Sequence, residues 1–137
     1  MTTAFLHDFI TQDRLAVLAT ISEKNIPEAA LVGFAITPEL EIIFDTVKSS
    51  RKYHNLLKNP AISFVIGWEN EKTVQYEGIA KIPIDSELEK LLPYYFKVYP
   101  DGKYRRENWK DLVYFSVKPK WIRYSDFNTN RIEEIEF

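Results

Sequence analysis

The feature that most constrains this chain is the spacing of its apolar, β-branched runs. They recur at hairpin distance with turn residues between them, instead of alternating with helices as a parallel sheet requires. Residues 14–22 (RLAVLATIS) read as a strand that Glu23-Lys24-Asn25 turns back. Residues 27–37 return along it, Pro38-Glu39 turns again, and residues 41–46 (EIIFDT) complete what reads as an antiparallel meander. Residues 61–68 (AISFVIGW) are almost wholly apolar, as in a buried central strand. Residues 73–84 pair with them, and Gly78 marks a bulge or a close approach of two backbones. Two last strands, 112–118 and 121–126, flank Lys118-Pro119.

Three helical stretches interrupt this pattern. Thr3 is placed to cap a short helix carrying Phe5, Leu6, Phe9 and Ile10 on one face. Ser49-Ser50 opens a second, SSRKYHNLLK, with Tyr53, Leu56 and Leu57 as its apolar stripe and Asn59-Pro60 as its stop. Ser86-Glu87-Leu88-Glu89 fits a capping box. The helix it starts carries Leu88, Leu91, Leu92, Tyr95, Phe96 and Tyr99, with Pro93 expected to kink or divide it. Residues 1–137 read as one mainly β domain: a six- to seven-stranded antiparallel barrel with two to three helices packed outside. Tyr94-Tyr95-Phe96 and Tyr99 form an apolar surface that core packing or a dimer interface would use.

Composition excludes several chemistries. The chain has no cysteine, so zinc fingers, iron–sulfur clusters, thiol nucleophiles and disulfide scaffolds are out. Its only histidines, His7 and His54, are far apart, which leaves a structural metal site or a Ser-His-Asp triad without support. No acid pair stands out as general acid and base, and no catalytic residue is assigned. GxxxxGK[ST] and GxGxxG are both absent. No uncharged run exceeds ten residues, against the ~18 a spanning helix needs. No signal peptide is expected, and the cytoplasm is the default compartment. The net charge of −2 disfavours nucleic acid as a partner.

The charge is unevenly placed. Between Thr46 and Pro60 stand four cations, Lys48, Arg51, Lys52 and Lys58, and no acid. Residues 97–123 hold eight cations against three acids, a basic stretch that either widens a groove or is a solvated face. Arg51 and Lys52 fall on a helix N-terminus, where cations are disfavoured by the dipole unless an anion docks there. A phosphate would receive backbone amides, an arginine fork, a lysine charge and the hydroxyls of Thr46 and Ser50. A solvated helix start with two extended side chains is the alternative.

With LAVLAT, IPEAALVGFAI, IIFDT, SSRKYHNLLKNPAISFVIGW and VQYEGIAKI in this order, the chain resembles the pyridoxamine 5′-phosphate oxidase-like family, the FMN-binding split barrels. The later LEKLLPYYFKVYP and LVYFSVKPKWIRYSD resemble its small members. The resemblance implies a split β-barrel that binds FMN between the two subunits of a homodimer and carries out flavin redox chemistry on a small molecule. It implies that Ser50, Arg51 and Lys52 grip the phosphate, with Thr46 beside them. It places Thr73 against the flavin ring, where the oxidase has glutamine, and Trp68 near the site. The second strand lacks the oxidase's cations, and no counterpart of its C-terminal substrate motif is present, so turnover of pyridoxamine phosphate is not expected. Two other occupants share the barrel: deazaflavin F420, and haem in a non-catalytic carrier with His54 or His7 as axial ligand.

Overall fold

The computed structural model describes residues 1–137. In chain order the elements are α1 (Thr3–Ile10), β1 (Leu15–Ile21), β2 (Pro27–Gly33), β3 (Ala35–Ile36), β4 (Ile42–Val47), α2 (Arg51–Lys58), β5 (Ala61–Ile66), β6 (Lys72–Lys81), α3 (Asp85–Val98), α4 (Gly102–Asn108), β7 (Leu112–Asp126) and β8 (Arg131–Glu136). All strand pairs are antiparallel, in the order β2-β1-β5-β6-β7-β4-β3, with β8 added to β7. β2 and β3 lie at opposite ends of that path, yet only Phe34 separates them in the chain. The sheet must therefore curl until its two ends meet, giving a mainly β split barrel.

Strand alternation fills the interior. Ala16, Leu18, Phe64, Val74, Tyr76, Phe44 and Phe115 point inward into one cluster of 22 buried residues. α1 adds Leu6 and Ile10 to this core, and its Phe5 and Phe9 meet Tyr124 edge-on. α2 adds Leu56, with Tyr53 against Phe115. Leu57 is turned to solvent. α3 covers the outside of β3, β4 and β7, burying Leu91, Leu92 and Tyr95 against Ala35, Ile43 and Tyr114. Tyr95 is thus spent inside the chain and is not part of a free apolar surface.

Gly78 is both bulge and close approach: the β6–β7 register shifts between Glu77 and Gly78, and a Cβ there would lie 2.5 Å from the Lys118 carbonyl oxygen. The same shift corrects the reading of two final strands. Glu77 faces Trp121 while Gly78 faces Pro119, so Lys120 is the extra residue and β7 bends through Pro119 as one strand. Residues 27–37 are not one strand either. β2 pairs with β1, β3 pairs with β4, and β4 runs along β7, so the meander is broken where the barrel closes.

The helix ends differ in detail. Thr2, not Thr3, caps α1, its Oγ1 accepting from the Phe5 amide at 3.0 Å. α3 starts at Asp85, and Glu87 accepts from the Ile84 amide at 3.1 Å, so Ser86 caps nothing. Pro93 sits inside α3 without dividing it. α4 and β8 bring the count to four helices and eight strands. No helix is long and apolar enough to cross a membrane.

Candidate anion site at the start of the second helix

β4 delivers Thr46 to the mouth of the barrel, and the turn after it sets Ser50 as the N-cap of α2. Ser50 Oγ accepts from the Tyr53 amide at 3.2 Å and from Thr46 Oγ1 at 2.9 Å. The two hydroxyls thereby fasten the helix start to the strand end. The first turn of α2 holds no acid and begins with Arg51 and Lys52, so two cations add to the positive end of the dipole.

The two cations have different surroundings. Lys52 is half-buried, lines a small cavity with Leu18, Thr20, Glu28, Ala29, Ala30 and Arg51, and forms no salt bridge. Burial first, then the neighbouring Arg51 charge, holds its ammonium pKa below the usual lysine value. Arg51 is exposed, and its Nη1 donates to Glu28 Oε2 at 3.2 Å. Glu28 Oε1 accepts from Asn55 Nδ2 at 2.8 Å, and the same Nδ2 lies 2.9 Å from Thr20 Oγ1. A groove of about 420 Å³ opens beside this network, lined by Glu28, Arg51, His54 and Asn55, with Ile26 its one apolar wall.

Thr46, Ser50, Arg51 and Lys52 therefore come together as the sequence pattern requires. Trp68 and Thr73 do not join them within one chain. Trp68 lies past the end of β5 and lines a separate cavity of about 360 Å³ with Phe5, Phe9, Asp13, Glu69 and Tyr124. Thr73 stands near the start of β6, its Oγ1 buried without a hydrogen-bond partner. Carrying the pairing of β1, β5 and β6 outward by one or two residues puts Thr73 level with Leu15. Leu15 is five residues along β1 from Thr20, or ~17 Å at the usual rise per strand residue.

Neither histidine faces an apolar cavity. His54 is exposed, edge-on to Tyr53, and His7 lies beside Asp8 on α1. No residue of the basic stretch 97–123 lines this groove, and its arginines are engaged elsewhere: Arg105 with Asp45 and Asp101, Arg106 with Glu89, Arg123 with Glu134. Glu28 and Asn55 are the residues that sequence reasoning missed. Nothing in an apolar strand that opens Pro27-Glu28-Ala29 shows that its one acid meets a helix 23 residues further on.

Among solved structures, a heme binding protein from Mycobacterium smegmatis matches with a TM-score of 0.84 and 17% identity, over 99% of this chain and 58% of that one. This chain thus spans little more than half the length of that protein. HutZ, a heme storage protein from Vibrio cholerae, matches at 0.71 with 19% identity, over 84% and 87% of the two chains. General Stress Protein 26 from Bacillus anthracis matches at 0.72 with 24% identity, over 96% and 98%. At these identities the likeness is one of fold. No curated protein matches in sequence. The sequence model of pyridoxamine 5′-phosphate oxidase matches residues 2–126, nearly the whole chain, and this protein belongs to that family.

Proposed function

We propose that the chain binds FMN as a homodimer and supports flavin redox chemistry on a small molecule. The observation that carries this reading is Lys52, a half-buried lysine side chain that forms no salt bridge, beside a second cation at the capped start of α2. Partial desolvation and the Arg51 charge already disfavour its charged form, and a bound anion would offset both. Thr73 adds a second unspent polar atom, its buried Oγ1, where a ring edge is expected. When bound, the flavin supplies the hydride and electron transfer. The chain's own part is to hold the phosphate with Ser50, Arg51 and Lys52, to set the ring beside Thr73, and to keep water from it.

Along the strand direction alone the two ends of one subunit are ~17 Å apart, and a second copy would bring them together. The outer face of β2-β1-β5 carries no helix. Val17 stands between Leu31 and Val65, and Ala19 between Ala29 and Ser63, all in register. Leu31 is 59% exposed and Val65 39%, a small apolar surface of the kind that self-association covers. A two-fold axis lying in the plane of this face and perpendicular to its strands would set the Thr73 end of one copy against the Arg51 end of the other.

Haem is the weaker reading. The neighbours from Mycobacterium smegmatis and Vibrio cholerae are heme proteins, but His54 borders a groove of charged and polar side chains, and His7 borders none of the larger cavities. The test is the visible spectrum of the purified protein, with mass spectrometry of the released cofactor, followed by titrations with FMN, F420 and haem. FMN release or tight FMN uptake is expected, and the double variant Arg51→Ala/Lys52→Ala should lose it by at least about 100-fold, the worth of two charge-assisted contacts. Preferential uptake of F420 or haem, or retention of FMN by the double variant, would overturn the assignment.

A further inference from the structure

We infer that Glu28 is an internal competitor for the phosphate, a carboxylate that occupies Arg51 and makes the bound nucleotide exchangeable; this rests on the FMN reading. Three observations support it. The acid is the fixed member of the pair: the Glu28 side chain is 18% exposed, and its Oε1 is held by Asn55, itself buried, while the Arg51 side chain is 74% exposed. The contact consumes a guanidinium nitrogen that a phosphate oxygen would otherwise take. The charge is also wrong for a tight site: Arg51, Lys52 and Glu28 sum to +1, against the −1.5 to about −2 of a phosphate monoester at neutral pH. The groove is also lined by Lys24, by His54 and by the Lys58–Glu23 pair, which is already matched.

An incoming phosphate must either draw Arg51 away from Glu28 or bind beside a negative charge. Either route weakens binding without touching the ring contacts. Removing the charge while keeping the shape, Glu28→Gln, should tighten FMN about tenfold, the effect of one like charge at ~6 Å in a half-solvated setting. Riboflavin, which lacks the phosphate, should bind both proteins equally.

The experiment measures FMN and riboflavin affinities of wild type and Glu28→Gln by fluorescence titration. In parallel, inorganic phosphate is titrated against the Arg51 Nε–H resonance, and Glu28→Ala is carried as a second variant with matched melting curves. A gain for FMN and phosphate, with riboflavin unchanged, is the expected result. Equal or weaker phosphate binding by both variants would overturn the inference and make Glu28 the group that aims Arg51. A phosphate gain in a protein that takes up no FMN would sink the flavin reading and leave the competition standing. If phosphate binds neither wild type nor variant, both fall.

Discussion

Tyr76 shows how a polar group enters this core. The ring is fully buried, edge-on to Phe64, and its hydroxyl donates between the carbonyls of Leu40 at 2.7 Å and Val117 at 2.9 Å. Burial pushes the phenol pKa far up, so the group stays neutral and a donor. Leu40 has a φ of 67°, a left-handed conformation a leucine rarely adopts, and the Tyr76 contact helps hold it. Tyr76→Phe should therefore cost about 1–3 kcal/mol, read as a lower urea midpoint at unchanged slope. Asp45 and Arg105 make a second such commitment, both side chains being about 15% exposed. Arg105→Ala leaves the mostly shielded Asp45 carboxylate without its cation and should cost about 1–3 kcal/mol by the same assay. Residues of this kind mark the limit of sequence reading. Tyr76 bonds to groups 36 and 41 positions away, and Arg105 to one 60 away, distances at which local pattern carries no information. Arg51 and Lys52 were legible for the opposite reason, since cap, dipole and cations lie within one helical turn.

Elements with an apolar period announce themselves, and elements held by charge do not. β1 and β5 are continuous apolar runs rich in β-branched residues, β6 alternates apolar and polar, and α2 opens with its own cap, so their positions follow from pattern alone. α4 reads GKYRREN, with no apolar face, and forms because Arg105 bridges to Asp45 and Asp101 and Arg106 to Glu89. β8 reads RIEEIE and is mostly exposed. It stays on β7 through the backbone ladder and through the Arg123 and Trp121 side chains on Glu134, while Glu133 is tied to the Met1 ammonium and to Arg131 of its own strand. These hydrogen bonds and cations hold the Glu133 and Glu134 carboxyls below the usual carboxylate pKa. The sign follows from linkage: an acid with a lowered folded pKa stabilises above its unfolded value, and that contribution fades as pH falls through the folded one. β8 should therefore loosen first on acidification. Amide exchange, compared between pH 7 and pH 3 after correction for intrinsic rates, should show protection lost in β8 while β5 and β6 keep theirs. Equal loss across all three would mean that the ion pairs do not hold the strand.

At the scale of the whole molecule the barrel has one clothed side and one bare one. α3 covers β3, β4 and β7, while α1 and α2 sit at the two ends. The outer face of β2, β1 and β5 carries small and aliphatic side chains, Leu31 and Val65 among them, and is left open. Antiparallel pairing and three of the four helices were within reach of the sequence. The closure was not, because it depends on a single residue, Phe34, dividing a continuous β-like run into strands on opposite edges. A bare sheet face with alternating Ala, Val and Leu costs little as long as a second copy covers it, since each apolar Å² removed from water returns about 25 cal/mol. If the cofactor is shared between copies, dimerisation and flavin retention must fail together. Leu31→Glu tests this at the exposed leucine of β2 on that face. It should convert the protein to a monomer in sedimentation velocity, leave the far-UV spectrum and melting curve of the barrel intact, and abolish FMN retention with Arg51 and Lys52 untouched. A monomeric variant that still holds FMN at wild-type affinity would show that one subunit suffices, and would return Thr73 and Trp68 to ordinary surface roles.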